Sequence, residues 1–413
     1  MGVVGGSIAG CAMAVAGARA GAEVTVYERS AGELRGRGLG IVLPPSLHGE
    51  LTAVGYLDAA MPTVPVATRV WVTRAAGSRS AREFARQSGP VTACNWGLLW
   101  QALRRSAGSS PAVRYHRGHP VVSVGRAEGG RAVVRTEGGA EEYDVVVGAD
   151  GHRSLTRGLL APDLRPSPAG YAVWRGTLPM SALTGHRRPL ELLRESWVTL
   201  GFRGGHGIFY LIPRGDTEGD GERDHLLAYA VYARPCGPGA PDVAYVRRIA
   251  EQHFPAEWAE IVARGEHTAM TCHPVTDLHA PVAADPPFLL AGDAAGVTRP
   301  HTASGAVKAL QDALCLERSL RASASPAEAL GRYARERTPE GARLVELGRR
   351  IGRAQVERTP EGARLVELGR RIGRAQVERT PDWDALDQAG VEEWCRATLA
   401  GTTSYLYGDE GGG

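Results

Sequence analysis

Three short motifs set acids and glycines where strand ends meet ligands. The first runs from Gly5 through Ser7 and Gly10 to Glu28. A glycine turn of this kind opens a helix whose free backbone N–H groups, at Ser7, Ile8 and Ala9, favour a pyrophosphate, as does its partial positive charge. Glu28, about 20 residues further on, is placed to accept hydrogen bonds from ribose hydroxyls, and Arg29 follows it. The second motif is Gly148-Ala149-Asp150-Gly151, in which Asp150 ends a β-branched run and offers a second wall to a polar ligand. The third is Gly292-Asp293, followed by Pro300 and Ala303-Ser304-Gly305. Asp293 suits the hydroxyls of a sugar-alcohol chain, and the N–H groups near Ala303, Ser304 and Gly305 open a helix that stabilises negative charge. Taken singly, the first motif also suits a plain βαβ unit, and the second a plain turn.

These motifs need strands to carry them. Phe288-Leu289-Leu290 and Tyr143-Asp144-Val145-Val146-Val147 read as buried parallel strands. The glycine-rich loop Gly32 to Gly40 suits a flexible turn, and also a backbone lying flat against a planar ligand. Val64 to Phe84 reads as strand, turn and strand, Leu98 to Arg105 as a helix, and Ala112 to Val124 and Arg131 to Thr136 as further strands. From Tyr171 to Cys272 the alternation suggests a mainly antiparallel sheet offering Tyr171, Trp174, Tyr210, Tyr229 or Tyr232 to a flat ring, with either face open to that role.

The expected fold is therefore α/β, with a Rossmann-like nucleotide-binding domain on a parallel sheet, a mainly antiparallel β domain for substrate and a C-terminal helical segment. Residues 1–70, 91–165 and 275–335 are assigned to the first, 71–90 and 166–274 to the second and 336–413 to the third. With 48 basic against 45 acidic residues among 413, the net charge of +3 provides no field to recruit nucleic acid or membrane. No long apolar run or basic leader suggests a membrane span or signal peptide. Six cysteines without a C-x-x-C pair suit a reducing cytoplasm and predict no metal site.

The three motifs in this order resemble the FAD-dependent aromatic hydroxylases, the class A flavoprotein monooxygenases. Similarity to the 2,6-dihydroxypyridine hydroxylase-like branch rests on residues 36–43 (GRGLGIVL), Trp174-Arg175-Gly176, Arg299-Pro300-His301-Thr302 and residues 404–408 (SYLYG). The resemblance implies that Gly5, Gly10, Glu28 and Arg29 surround the ADP half of FAD. Asp150 would lie near the pyrophosphate, Asp293 on the ribityl chain and Gly305 beside the flavin. Ser7, Asn95 and Gly296 depart from the family pattern, which has glycine, arginine and histidine there.

The implied reaction is reduction of FAD by NADH or NADPH as a transient reductant, then formation of a flavin C4a-hydroperoxide with dioxygen and hydroxylation of a small aromatic or heteroaromatic substrate. Epoxidation, Baeyer-Villiger oxidation and a non-catalytic FAD-binding role remain alternatives, and a monomer or homodimer is expected. For handling the substrate proton the candidates are His301 first, then His48 and His206, with Tyr210 and Tyr232 as hydrogen-bonding partners and Arg175 as a clamp for an anionic oxygen.

The tail repeats itself. Residues 336–356 recur letter for letter as 357–377, and a third copy starts at 378. Leu344, Leu347, Ile351 and Ala354 form a helical stripe, so the repeat predicts either two helices broken at Pro360 or one long kinked helix.

Overall fold

The computed structural model describes residues 1–34, 39–215, 225–234, 243–264, 268–356, 383, 386–400, 402 and 406. The second repeat copy with Pro360, most of the 404–408 motif and Gly36, Arg37 and Gly38 lie outside those residues.

Short β-branched segments buried on both faces make parallel sheets, because helices must cover each side. Here Gly2–Val4, Val24–Glu28, Val113–Arg117, Val146–Gly148 and Phe288–Leu290 run parallel, and Ala284–Asp285 adds an antiparallel edge. In space Gly2–Val4 lies between Val24–Glu28 and Val146–Gly148, and Phe288–Leu290 lies beyond the latter. The helices Ile8–Arg19, Trp96–Gly108 and Ser304–Arg321 share one apolar core with this sheet. Ile8–Arg19 is rich in alanine and glycine, and so comes close: a Cβ on Gly10 would stand 1.8 Å from the Gly5 carbonyl oxygen.

A second sheet has nine strands, in the order Gly296–Val297, Thr268–His279, Ser167–Pro179, His225–Ala233, Gly205–Pro213, Ser196–Phe202, Val64–Arg74, Ala81–Asn95 and Gly40–Leu43. All its pairings are antiparallel except that of Ser196–Phe202 with Val64–Arg74. One face packs Trp174, Phe209 and Tyr229 into a core with Val243–His253 and Ala256–Arg264. The register sets Val173, Tyr232 and His206 side by side on the other face, with Arg175, Ala230 and Ile208 in the next row and Thr177, Ala228 and Tyr210 after that. The five candidate aromatics are thus divided: Tyr171, Tyr210 and Tyr232 on one side, Trp174 and Tyr229 on the other.

The run Tyr143 to Val147 is not one strand. Gly139–Tyr143 ends a three-stranded antiparallel sheet with Val121–Arg126 and Ala132–Thr136, and only Val146–Gly148 joins the parallel one. Tyr143 packs in one apolar cluster with Val4, Tyr27, Val146 and Phe288 of the parallel sheet, with its hydroxyl 2.6 Å from that of Tyr27. Ala112 to Val124 likewise divides, at Gly118, into strands of two different sheets.

The first repeat copy forms the last two-thirds of one helix, Pro326–Gln355, which continues through Pro339. A shorter helix, Gln388–Leu399, packs on it, and Trp383 stacks on Trp71 at 5.2 Å to cover the nine-stranded sheet. No helix among the described residues is long and apolar enough to cross a membrane.

Candidate active site

The three motif loops lie side by side at the carboxyl ends of three adjacent parallel strands, where open α/β sheets bind ligands. Gly5 takes φ +98°, and a Cβ there would fall 2.4 Å from the Ala149 carbonyl oxygen, so only glycine permits the first two loops to touch. The Ala291 N–H donates to the Gly148 carbonyl at 2.9 Å, tying the third loop to the second.

Around the first loop, Glu28 is buried and accepts from the N–H groups of Gly6 and Ser30, both at 2.8 Å. The Gly6 carbonyl receives Trp100 Nε1 and the Tyr115 hydroxyl, each at 2.9 Å, and the Cys11 thiol at 3.3 Å. Ser7 begins the Ile8–Arg19 helix without capping it by its side chain, and the first turn contains no acid, which leaves the N-terminus open to an anion. Arg29 is exposed just beyond Glu28.

Asp150 uses Oδ2 to accept from the N–H groups of Leu155 at 2.7 Å and Thr156 at 3.3 Å, while its buried Oδ1 has no partner. Arg157, from the helix this loop opens, donates to the carbonyls of His152, Asp293 and Ala294 and so joins the second and third loops. Asp293 itself keeps accessible surface, yet the dense protein around its carboxyl pushes the pKa up, against the opposing charges of Lys308, His152 and Arg157.

Pro300 opens the one-turn helix Pro300–Thr302, and Ala303 follows at φ +49° to start Ser304–Arg321. Ala303 is the one non-glycine residue with positive φ among those described. At Gly305 an added Cβ would meet nothing within 4 Å. The Ser304–Arg321 helix also touches the strand Gly40–Leu43, and at Gly40 two residues from other strands of the nine-stranded sheet converge. The Arg175 guanidinium donates to the Gly40 carbonyl at 3.1 Å, and a Cβ on Gly40 would lie 2.5 Å from the Tyr210 hydroxyl. Burial raises the Tyr210 phenol to about 12, with the Arg175 charge opposing, so it stays protonated at neutral pH.

His301 is buried on the inner face, its Nε2 2.6 Å from the Tyr171 hydroxyl and its ring 4.5 Å from that of Tyr232. His206 also stacks on Tyr232, at 4.5 Å, and its ring lies 5.4 Å from that of His301. Burial, reinforced by Arg299, lowers His301 to about 3; burial, then His301 and Arg69, lowers His206 well below its ordinary value. Both rings are neutral at physiological pH. His48 stands apart on the helix Pro45–Ala53, half-buried. Asn95, where the family pattern has arginine, caps Trp96–Gly108 by accepting from the Gly97 N–H and also donates to the Pro213 carbonyl.

A model of an FAD-binding domain family matches residues 1–347. The chain belongs to that family and is an FAD-dependent monooxygenase. This monooxygenase is 30% identical over 347 residues to 2,6-dihydroxypyridine 3-monooxygenase of Paenarthrobacter nicotinovorans, covering 76% of this chain and 81% of that protein. In fold it is similar to the solved 2,6-dihydroxypyridine-3-hydroxylase of Arthrobacter nicotinovorans, with a TM-score of 0.73 and 23% identity over 87% of this chain and 94% of the other. HpxO of Klebsiella pneumoniae, solved with FAD and uric acid, has a TM-score of 0.71 and 19% identity over 90% and 94% of the two chains.

The residues present fit FAD: loops packed backbone to backbone at Gly5 and Gly10, an uncapped helix start, an unpartnered Asp150 oxygen and open space at Gly305. Motif spacing does not single out Trp100, Tyr115, Lys308 or Asp312. The last two carry a different signal, an i, i+4 charge pair inside an otherwise apolar helix stripe.

Proposed function

We propose that this monooxygenase hydroxylates a small aromatic or heteroaromatic compound in the cytoplasm, using dioxygen and electrons from NADH or NADPH. What carries this reading is the meeting of Arg175 and Tyr210 at Gly40, on a strand that touches the Ser304–Arg321 helix. The relatives' names support the substrate class, since dihydroxypyridine and uric acid are both oxygenated nitrogen heterocycles.

FAD, when bound, supplies the redox and oxygen-activating chemistry. Gly5, Gly10 and the N–H groups of Ser7, Ile8 and Ala9 hold its phosphates, and Glu28, with Arg29 beside it, takes the ribose. Asp150 orders the loop facing the pyrophosphate. Gly292 and Asp293 take the sugar-alcohol chain. Pro300, Ala303, Ser304 and Gly305 flank the ring, whose reduced form is stabilised by their helix start.

Arg175 orients an electron-rich oxygen of the substrate and favours its anion. Tyr210, being protonated, donates a hydrogen bond to that oxygen. His301, neutral and bonded to Tyr171, orders the pocket wall in this reading and does not act as the base, because a ring with a pKa near 3 has little tendency to take a proton at neutral pH. The strong burial of this face excludes water from the reacting centre.

Purified protein should be yellow with a flavin spectrum. It should oxidise NAD(P)H faster when a suitable hydroxypyridine or aminophenol is added, and under labelled dioxygen the product should gain one labelled oxygen. Colourless protein that FAD cannot reconstitute, or oxidation that never yields a labelled product across such a panel, would overturn the proposal.

A further inference from the structure

Gly292, the residue before Asp293, has both of its backbone polar groups taken up by one helix. Its N–H donates to Asp312 Oδ2 at 2.9 Å, and its carbonyl accepts from the Lys308 ammonium. Lys308 and Asp312 are one turn apart on Ser304–Arg321, both buried and 3.9 Å from each other. Arg337, from the next helix, holds the other Asp312 oxygen at 2.7 Å. Burying such charges costs desolvation that apolar residues at the same sites would avoid, so the pair serves geometry in preference to stability. That geometry is demanding, because Gly292 has φ +57° and a Cβ there would lie 2.8 Å from the Cβ of Ala9, on the helix that follows the first motif.

We propose that Lys308 and Asp312 are positioning residues for the cofactor, clamping the Gly292 peptide so that Asp293 is presented to the sugar-alcohol chain of FAD. This rests on the role given to Asp293 above. Lys308 has a second effect. Among the charged groups facing Asp293, which are Lys308 and Asp312 from one helix and His152 and Arg157 from the Asp150 loop and its helix, Lys308 opposes protonation most. Without it the Asp293 carboxyl protonates at higher pH and no longer accepts from two hydroxyls.

The test is the FAD dissociation constant of flavin-stripped full-length protein, read by flavin fluorescence between about pH 5 and pH 8, with circular dichroism as a check of fold. Lys308→Met removes both charge and donor and should weaken FAD about tenfold or more. Lys308→Gln keeps a donor for the Gly292 carbonyl but not the charge; it should bind more tightly than Lys308→Met and lose FAD at a higher pH than the wild type as acid is added. If Lys308→Met fails to fold, Lys308→Gln and Asp312→Asn decide the matter. Unchanged affinity and an unshifted acid limb in Lys308→Gln, alongside loss of FAD in Asp293→Asn, would overturn the clamp and spare the site. Unchanged affinity in Asp293→Asn would overturn the role of Asp293, and the clamp with it.

Discussion

The Arg157 guanidinium donates to the carbonyl of Ala294 at 3.0 Å, so a side chain from the helix after the second motif stitches down the loop of the third. The two loops come from strands that are adjacent in space and about 140 residues apart in sequence, a separation that closes only in the folded chain. Arg157→Met would leave the buried carbonyl of Ala294 and the part-buried carbonyl of His152 without this donor. We expect it to lower unfolding free energy by about 2–4 kcal/mol and to release FAD at a lower urea concentration than global unfolding, which parallel flavin-fluorescence and circular dichroism titrations would show.

Two glycines separate fold from cofactor. Gly10→Ala forces a Cβ against the Gly5 carbonyl and should cost about 3 kcal/mol or more, seen as loss of soluble protein or a large fall in Tm. A Cβ at Gly305 meets no protein atom within 4 Å, so Gly305→Val should leave the Tm of flavin-free protein nearly unchanged while abolishing FAD binding. A Gly305→Val protein that keeps its flavin would place the ring elsewhere.

His301 and His206 make the fold sensitive to acid. Each has a folded pKa below the ordinary value near 6.5, so the unfolded chain binds the extra proton first. Their contribution is complete above about pH 6.5 and is lost as pH falls toward the folded pKa, about 3 for His301. The slope is on the order of 1 kcal/mol per pH unit for each ring. Urea unfolding at a series of pH values from about 7 down to 5 should show a shallower decline for His301→Phe than for the wild type.

Arg175 and Tyr210 should govern substrate and spare flavin. Tyr210→Phe and Arg175→Met are expected to keep FAD and to lower kcat/KM for hydroxylation by about 10- to 100-fold. More of the NAD(P)H consumed should then end as hydrogen peroxide, because a poorly held substrate competes badly with water. Product yield per NAD(P)H measures this directly.

One repeat copy suffices. The first copy makes the contacts that dock its helix: Arg337 to Asp312 at 2.7 Å, the Ala283 N–H to the Thr338 hydroxyl at 3.0 Å and Arg349 to Asp277 at 2.6 Å. Deleting residues 357–377 or 336–356 produces the same chain, since the copies are identical. That shortened protein should match the full chain in Tm and flavin content.

Local chemistry made the cofactor end of this site legible. Glycine turns, an acid at the end of a strand and a helix start each depend on a few consecutive residues, so Gly5, Glu28, Asp150 and Asp293 stand out from spacing alone, and the α/β class follows from the β-branched runs before them. Asn95 shows the limit, since a missing family arginine says nothing of the helix cap that replaces it.

The substrate end depended on tertiary structure. Alternation in a strand specifies two faces without saying which is inward, and only strand register set Tyr171, Tyr210 and Tyr232 apart from Trp174 and Tyr229. Whether a histidine is a base or a neutral strut depends on its burial and neighbours, and those of His301 come from strands and loops far away in sequence. The sequence determined the glycine turns, strand-end acids and helix starts because backbone geometry is local. The fold decided which side chains share a face and which are neutral because desolvation and charge are properties of everything packed around a side chain.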